Sequence, residues 1–331
     1  MNDNPGPTNA PLIVEMIRGD VVESRHRVHV AVVDGTGRIL QVAGGAQLRI
    51  YPRSALKPLQ SAAMVSAGLA LPSAELMAIS ASSHSGEPMH VSAVRRLLAT
   101  VGLTEAELGN VVDWPSDEVA RTAWIAGGGE RTRVRMNCSG KHAAMLATCA
   151  AAGWPTSDYL SPAHPLQVWI RGWIDDLLGS GTLADTTTDG CGAPIWTLPL
   201  TSLAQAFATL GESDPDSAVG RVASAMTAYP AYVGGSRRDV TSLMLAVPGL
   251  VVKDGAEGVY AAGLPDGRGV AIKIEDGAGR ARPAAMAEVL TQVGVPAAEL
   301  AFLRSWEHVL GGGRSIGGFR VRGRLDGYSG G

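Results

Sequence analysis

Two kinds of patterned segment divide the chain, and their order limits the folds that it can adopt. Apolar residues alternate with other residues over 19–43, and Asp34-Gly35 in the middle of this stretch is typical of a turn between two strands. From a helix that begins near Ser54 to about residue 235, the spacing and the residue types are mainly those of helices. Strand patterns then return at Met244–Lys253, Gly258–Gly263 and Gly269–Glu275.

This order of strands, helices and strands predicts an α+β or α/β fold. Strands from both ends of a chain can share one sheet when the segment between them folds as an insertion. We therefore predict one domain over residues 1–331, with a sheet-containing part at about 12–56 and 236–331 and a mainly helical part at about 57–235.

Composition excludes several classes of protein. Hydrophobic residues make up 46% of the 331 residues and charged residues 18%, which argues against a disordered chain. A formal net charge of −3 without any Lys/Arg-rich run argues against a nucleic-acid partner. The chain has no apolar run long enough for a membrane helix and no secretory signal pattern, so we expect a cytoplasmic protein without a membrane partner. Three cysteines cannot all pair, so a disulfide framework is not expected.

Ser54 and Lys57 form the first candidate catalytic pair. They stand three residues apart at the start of the predicted helix, which places both side chains on one face. An uncharged lysine can activate a serine hydroxyl as a nucleophile, which requires the lysine pKa to fall by about three units through burial or a nearby cation. The alternative is a serine that caps the helix beside a solvated lysine. The hairpin before the pair favours catalysis, since the serine–lysine motif of β-lactamases follows a similar element.

The segment SSHSGE, residues 82–87, is the second candidate. It places hydroxyls, an imidazole and a carboxylate directly after an apolar run. Such a segment could form the wall of an active site, or it could be a capped turn before a helix. Lys253 is a candidate partner because it closes an apolar strand just before a turn glycine, similar to the Lys-Thr-Gly element of β-lactamases, although Asp254 occupies the middle position. Lys273 competes for this role, and either lysine could be a strand-end side chain that reaches solvent.

Cys138 and Cys191 form the third candidate, each in a polar turn with glycine close by. Two thiolates brought together would suit zinc, and His142, Asp189 or a deprotonated Lys141 could complete the ligand set. The alternatives are two buried thiols, or a single cysteine nucleophile that works with His142.

Taken together and in this order, these segments resemble the asparaginase II family, the rhizobial-type (class 3) L-asparaginases. The matching stretches are SRHRVHVAVVDGTGRIL, RSALKPLQ, SSHSGE, NCSGKHAAML, DGCGAPIWTLPL and VAIKIEDG. They span nearly the whole chain. The resemblance implies a fold similar to that of serine β-lactamases and glutaminases, a homodimer, and hydrolysis of L-asparagine to L-aspartate and ammonia.

The resemblance also implies roles for individual residues. The family's two serine–lysine tandems correspond to Ser54 with Lys57 and to Ser83 with Lys253. Its zinc ligands correspond to Cys138, Lys141 and Cys191. The motif residues that surround its substrate correspond to Arg53, His84, His142 and Asp189. The Lys253-Asp254-Gly255 segment departs most from the family pattern.

These roles make a serine–lysine amidohydrolase the leading hypothesis, with Ser54 attacking the side-chain amide and Lys57 acting as its base. Three alternatives remain. The first is another serine–lysine enzyme, such as a glutaminase or a β-lactamase relative. The second is an amino-acid-binding protein without activity. The third is a zinc hydrolase whose metal activates water.

Overall fold

The computed structural model describes residues 9–306 and 308–328. Within them the strands are β1 Leu12–Arg18, β2 Val21–Val33, β3 Ile39–Ala43, β4 Arg49–Ile50, β5 Ala184–Thr188, β6 Pro194–Pro199, β7 Val251–Gly255, β8 Val259–Gly263, β9 Gly269–Ile274, β10 Val309–Gly311, β11 Arg314–Arg322 and β12 Asp326–Gly327. The helices are α1 Lys57–Ser66, α2 Ala74–Ser80, α3 Pro88–Ala99, α4 Glu118–Ala126, α5 Ser139–Ala152, α6 Pro165–Leu178, α7 Leu200–Glu212, α8 Ala218–Ala228, α9 Pro230–Val233, α10 Asp239–Ala246 and α11 Arg282–Gln292.

The chain folds as two compact units. Among the described residues, the first unit draws on the ranges Met1–Ala55, Leu198–Glu212 and Ser242–Gly331. The second comprises Leu56–Thr197 and Ser213–Thr241.

An antiparallel sheet from both chain ends forms the first unit. Its strand order is β10-β11-β1-β2-β9-β8-β7, with β3 beside β2 and β12 beside β3. The long strand β2 joins the halves, because it pairs with β1 on one side and, through Val30 opposite Ile272, with β9 on the other. The predicted α+β class, with a sheet built from both chain ends, is confirmed.

Helices α7 and α11 cover opposite faces of this sheet. Helix α7 lies so close to β8 and β9 that a side chain at Gly269 would collide with the carbonyl of Ala204, so glycine is required there. Helix α11 lies over the other face, where the guanidinium of Arg282 sits 5.7 Å from the centre of the Tyr260 ring. Burial of apolar residues between these layers is the main source of this unit's stability.

Two of the predicted element boundaries are wrong. The predicted strand Met244–Lys253 begins only at Val251, because α10 occupies residues up to Ala246. Buried side chains at Val240, Leu243, Met244 and Val247 follow the spacing of a helix, which a window that opens at Met244 misses. The predicted helix start at Ser54 is a 3₁₀ turn over Arg53–Leu56, and α1 begins at Lys57.

The second unit is mainly helical and is centred on α5. Every residue of α5 from Ser139 to Cys149 is buried. Alanine dominates this helix, and Gly140 allows it to approach the carbonyl of Ile79 at the end of α2. Helix α5 ends at Gly153, whose φ of 70° is the left-handed conformation that glycine adopts without strain.

A short hairpin interrupts the helices of the second unit. Strand β5 pairs with the first residues of β6, with Thr188 opposite Pro194, and the turn between them contains Cys191. The sequence did not predict these strands, since β5 is mostly exposed and carries no apolar alternation. No helix among the described residues has the length and hydropathy needed to cross a membrane.

Candidate active site

Lys57 is a lysine whose side chain is buried in the second unit. It is the first residue of α1 and only 1% of its surface is exposed. Its Nζ donates hydrogen bonds to the Ser82 carbonyl at 2.7 Å, to Ser83 Oγ at 2.9 Å and to Cys138 Sγ at 3.1 Å. None of these partners is a carboxylate. The interpretation of Lys57 as a solvated lysine is therefore wrong, and its amine lies beside a serine hydroxyl.

The loop after α2 holds Ser83 in place through its backbone. The N–H of Ser83 donates to the Val233 carbonyl at 3.0 Å, and the N–H of His84 donates to the Asn137 carbonyl at 3.0 Å. Ser85 Oγ donates to the carbonyl of Gly234 at 2.8 Å. These bonds tie the loop to segments far along the chain, so the backbone that carries Ser83 is held in place.

Glu87 closes the same loop and caps α3. It exchanges capping hydrogen bonds with His90, as the capped-turn interpretation of this segment predicted. Its carboxylate also accepts hydrogen bonds from the backbone N–H of Ser236, at 2.8 Å, and from the Ser236 hydroxyl. The segment SSHSGE therefore contains a structural cap and the positioned Ser83 together.

His84 is fully engaged within the protein. Its Nδ1 accepts a hydrogen bond from the Gly86 N–H at 3.1 Å, and its Nε2 lies 2.8 Å from Ser139 Oγ. Burial, and to a smaller extent the proximity of the basic groups of His90 and Lys57, holds the pKa of His84 well below its usual range. The ring is neutral, and it braces the start of α5 against the Ser83 loop.

Cys138 and Cys191 interact with each other in the second unit. The hydrogen bond that Cys191 accepts from the Cys138 thiol lowers the pKa of Cys191, and the nearby charges of Lys141 and His142 act in the same direction. The same hydrogen bond, together with burial, raises the pKa of Cys138. Cys191 is therefore the thiol of the pair that loses its proton more readily. Lys141 Nζ donates to Cys191 Sγ at 3.4 Å.

The donor atoms around this pair fit a zinc ion if Lys141 contributes. Two sulfurs and a nitrogen form a soft ligand set, and three protein ligands with one open position are typical of catalytic zinc sites. Lys141 is 2% exposed, and the only hydrogen bond found for its amine among the described residues is the one to sulfur. Among those residues, histidine, cysteine, aspartate and glutamate alone form no cluster of three that could bind a metal. Burial lowers the pKa of Lys141, but the neighbouring acidic groups, Cys191 first among them, outweigh burial and raise this pKa overall, so zinc would have to displace a proton from the amine.

Ser54, Arg53 and Lys253 belong to the first unit. Ser54 is half-buried in the 3₁₀ turn, next to Arg53, whose φ of 51° is unusual for a residue other than glycine. A side chain at Gly255 would lie 2.6 Å from the carbonyl of Pro52, so the end of β7 passes directly against this turn. The strand that carries Lys253 thus lies beside the turn that carries Ser54.

Lys253 is fully buried and ion-paired. Its Nζ donates to Asp254 Oδ1 at 2.9 Å and to the Asp254 carbonyl at 2.8 Å. The second carboxylate oxygen of Asp254 accepts a hydrogen bond from Arg282 at 3.0 Å. Lys273, the competing lysine, donates instead to the backbone carbonyls of Glu257 and Ile274 and is half-buried. The sequence identified Asp254 as a departure from the family pattern but did not predict that it binds Lys253.

The predicted pairs join residues of different units. Ser54 and Lys253 belong to the first unit and Lys57 and Ser83 to the second, so both predicted tandems remain predictions. The contact between Lys57 and Ser83 was not predicted. Sequence spacing could not have found it, because the two residues lie 26 positions apart.

A protein-family comparison agrees with the motifs. A family model described as L-asparaginase II matches residues 14–321. The chain belongs to the L-asparaginase II family. This confirms the resemblance noted in the sequence and assigns the protein, at the level of the family, to asparaginase-type amidohydrolases.

Two solved structures resemble this member of the L-asparaginase II family at low identity. A β-lactamase from Mycobacterium bovis is 16% identical, with a TM-score of 0.46 and coverage of 81% of this chain and 95% of that one. The native form of a protein called Mglu is 14% identical, with a TM-score of 0.43 and coverage of 82% of this chain and 65% of that one. No match was found among curated proteins.

Proposed function

We propose that this protein hydrolyses L-asparagine to L-aspartate and ammonia through a β-aspartyl ester on a serine. The observation that carries the proposal is the buried Lys57 amine, 2.9 Å from a serine hydroxyl, with no carboxylate among the hydrogen-bond partners found for it in the described part of the chain. In a chain of the L-asparaginase II family, such an amine, once it is uncharged, is suited to take a proton from a serine and return it later.

Ser54 is the proposed nucleophile. Its hydroxyl proton passes to Lys57 as its Oγ attacks the side-chain amide carbon, and the amide nitrogen takes a proton and leaves as ammonia. Water then attacks the ester, and the same amine takes its proton and passes it to Ser54 Oγ as the ester bond breaks and aspartate is released. What supports Ser54 over Ser83 is the backbone: the Ser83 N–H is already bonded to the Val233 carbonyl. The N–H of a nucleophilic serine is a usual donor to the oxyanion, and at Ser83 it is occupied.

Ser83 and Lys253 serve the second step in this proposal. Because the Ser83 hydroxyl is hydrogen-bonded to Lys57, it is suited to carry a proton between that amine and the departing ammonia or the attacking water. Lys253 adds a fixed positive charge that favours negative charge on a reacting oxygen. Arg53 and Asp189 have charges opposite to those of the α-carboxylate and α-amino groups of asparagine, and we assign them to substrate binding.

Cys138, Cys191 and Lys141 would hold zinc. The ion would supply a Lewis-acid charge for an oxygen or nitrogen atom of the substrate. The chain's own contribution is to keep the two sulfurs adjacent, with Lys141 against Cys191, in a site closed to bulk solvent. A homodimer and a cytoplasmic location remain predictions from the sequence.

Ammonia release by the purified protein tests the proposal. We expect release from L-asparagine, little from L-glutamine and no hydrolysis of the β-lactam nitrocefin. A chelator should raise the KM more than it lowers the kcat if zinc holds the substrate, whereas complete loss of turnover would favour zinc-activated water. Amino-acid binding by calorimetry without any ammonia would contradict the proposal and identify a binding protein.

Serine variants test the assignment of the nucleophile. Ser54→Ala should lower the kcat by at least about 10⁴-fold with an unchanged Tm, since the residue is half-buried in a turn. Ser83→Ala should lower it less. Near-normal activity in Ser54→Ala together with its loss in Ser83→Ala would reverse the two roles.

A further inference from the structure

Three arginines converge on one buried carboxylate in the sheet of the first unit. The carboxylate is that of Glu15 on β1, a residue of which only 7% is exposed. Its Oε1 accepts a hydrogen bond from Arg25 Nε at 3.2 Å, and its Oε2 accepts from Arg320 Nε at 2.9 Å and from Arg322 Nε at 3.4 Å. One negative charge therefore faces three positive charges, which leaves two positive charges without compensation.

The register of the sheet brings these side chains to one face. Glu15 lies opposite Arg25 on β2 and opposite Arg320 on β11, and residues that lie directly opposite each other in an antiparallel sheet share a face. Two residues further along their strands, Arg27 and Arg322 extend the same face. Because these arginines come from two distant parts of the chain, they form no basic run in the sequence.

The three guanidinium groups are open to solvent and have donors to spare. The exposed fraction of their side chains is 62% for Arg25, 45% for Arg320 and 59% for Arg322. Arg25 and Arg322 bind Glu15 through Nε, and their terminal Nη groups have no protein partner among the described residues. A guanidinium carries five N–H donors in a planar fork that matches the oxygens of a phosphate.

Carboxylates limit the extent of this positive surface. At one end, two residues before Arg25 on β2, Glu23 binds Arg18 at 2.9 Å. At the other end Glu275 binds Arg27 at 2.7 Å. Both of these pairs are neutral, so a long polyanion would extend from the excess cations onto carboxylates. A small anion with at least two negative charges would contact the excess cations alone.

A surface cavity beside the arginines has room for such an anion. Its volume is about 310 Å³, and it is lined by Arg25, Arg27, Glu275 and Asp276. Since liquid water occupies about 30 Å³ per molecule, this is the volume of roughly ten waters. Both carboxylates of the cavity are already bound, Glu275 by Arg27 and Asp276 by His26 at 2.6 Å. Arg25 therefore supplies the donors without a protein partner on this wall.

We propose that the arginine cluster, which consists of Arg25, Arg320 and Arg322 around Glu15, is a binding site for a small phosphate-bearing anion of the pyrophosphate type. Glu15 is the fixed acceptor that orients the three guanidinium groups, and the anion neutralises the two charges that Glu15 leaves uncompensated. Arginine suits this task because its fork makes paired hydrogen bonds to phosphate oxygens. None of these residues belongs to the candidate active site, so the inference does not depend on the proposed amidohydrolase activity.

Calorimetry with inorganic pyrophosphate at constant ionic strength tests the site. We expect saturable binding of one pyrophosphate per chain, weaker binding of orthophosphate and no measurable binding of the dicarboxylate malonate. Replacing Arg320 and Arg322 together by glutamine should raise the Kd at least about tenfold, because charge-assisted hydrogen bonds are lost. Arg314→Gln is the matched control, since Arg314 is an exposed arginine on the same strand outside the cluster. It should bind pyrophosphate as the unaltered protein does.

Several outcomes would overturn the inference. Failure of the unaltered protein to bind pyrophosphate would do so directly, and an equal loss of affinity in Arg314→Gln would show attraction to surface charge in general. Malonate binding as tight as that of pyrophosphate would show that phosphate is not the recognised chemistry. Arg25→Gln, on a different strand, provides a second variant, with the Tm recorded for each protein. An unchanged Kd in Arg25→Gln would place the bound pyrophosphate elsewhere.

Discussion

Lys57 and Lys253 are both buried, yet their surroundings differ. The Lys57 amine has a carbonyl, a hydroxyl and a thiol as hydrogen-bond partners. The Lys253 amine is paired with the carboxylate of Asp254, which Arg282 binds from its other side. The first arrangement is a set of neutral groups around an amine, and the second is a chain of alternating charges.

This difference suggests separate roles for the two lysines, which the sequence analysis had described alike as partners of serines. In the proposed reaction we therefore assign the proton transfer to Lys57, which is hydrogen-bonded to a serine hydroxyl, and an electrostatic role to Lys253, which is held by a carboxylate. Burial alone would not have distinguished the two residues.

Replacing each lysine by methionine should show the largest contrast. Lys57→Met removes the base with a side chain of similar length, and we expect the kcat for asparagine to fall by about 10³- to 10⁴-fold, the usual contribution of a general base. Lys253→Met should lower it by about 10- to 100-fold, as loss of a stabilising charge does. The measurement is ammonia release at saturating asparagine, with Tm recorded for both variants.

The assignment of different roles to the two lysines is wrong if Lys253→Met lowers the kcat more than Lys57→Met does. A Lys253→Met protein that is folded but inactive, beside a Lys57→Met protein that retains activity, would show that the ion-paired amine is the base. The pH profile adds a check, because loss of the base should remove the limb of kcat that reports its deprotonation.

Local patterns predicted the parts of the molecule that local forces determine. The hairpin around Asp34-Gly35 is present, with Val30 opposite Ala43, because turn residues and alternation both act over a few positions. The β5–β6 hairpin was missed, since its strands are short and the turn that holds Cys191 looks like any glycine-rich loop. The same holds for the candidate site. Motifs pointed to Lys57, Ser83 and the two cysteines as candidates, but the partners of the candidate residues, such as Asp254 for Lys253, depend on tertiary contacts that the sequence does not reveal.

Asp254→Asn tests whether the second lysine depends on its ion pair for stability. The change keeps the shape of the side chain but leaves Lys253 and Arg282 without this negative charge in a buried site. Breaking a buried ion pair from one side usually costs about 3–5 kcal/mol. We expect a loss of that order in the free energy of unfolding, measured by urea denaturation, with a smaller effect on kcat than Lys57→Met has.

Arg38→Gln provides a matched control for Asp254→Asn. Arg38 is 76% exposed and forms a surface ion pair with Asp34 at 3.2 Å, which should contribute less than about 1 kcal/mol. Equal losses of stability in the two variants would show that the Lys253–Asp254 pair is no more important than a surface contact, and the contrast between the two lysines would then lose its physical basis.

The smallest predicted effect is a pH-dependent loss of stability caused by two buried histidines. His84 and His90 lie in the second unit, with rings stacked 5.0 Å apart. Burial lowers the pKa of both below that of a free imidazole, to a larger extent for His84. The unfolded chain binds protons at these residues below about pH 6.5 while the folded chain does not, so the free energy of unfolding should fall as the pH drops from 7 to 5.5.

The slope of this loss should approach about 1 kcal/mol per pH unit for each neutral histidine. Carboxylates do not explain a loss in this range. Arg237 lowers the pKa of Asp117, so the stability that Asp117 contributes is fully present above the pKa of an unfolded aspartate, about 4, and is lost only below it. Urea denaturation between pH 7 and 5.5 therefore reports on the histidines, and because burial also lowers the pKa of His29 and His142, NMR titration of each ring is used to assign the loss to His84 and His90. If His84 or His90 becomes protonated near pH 6.5 in the folded protein, cations are tolerated beside Lys57, and the description of its surroundings as a neutral site is wrong.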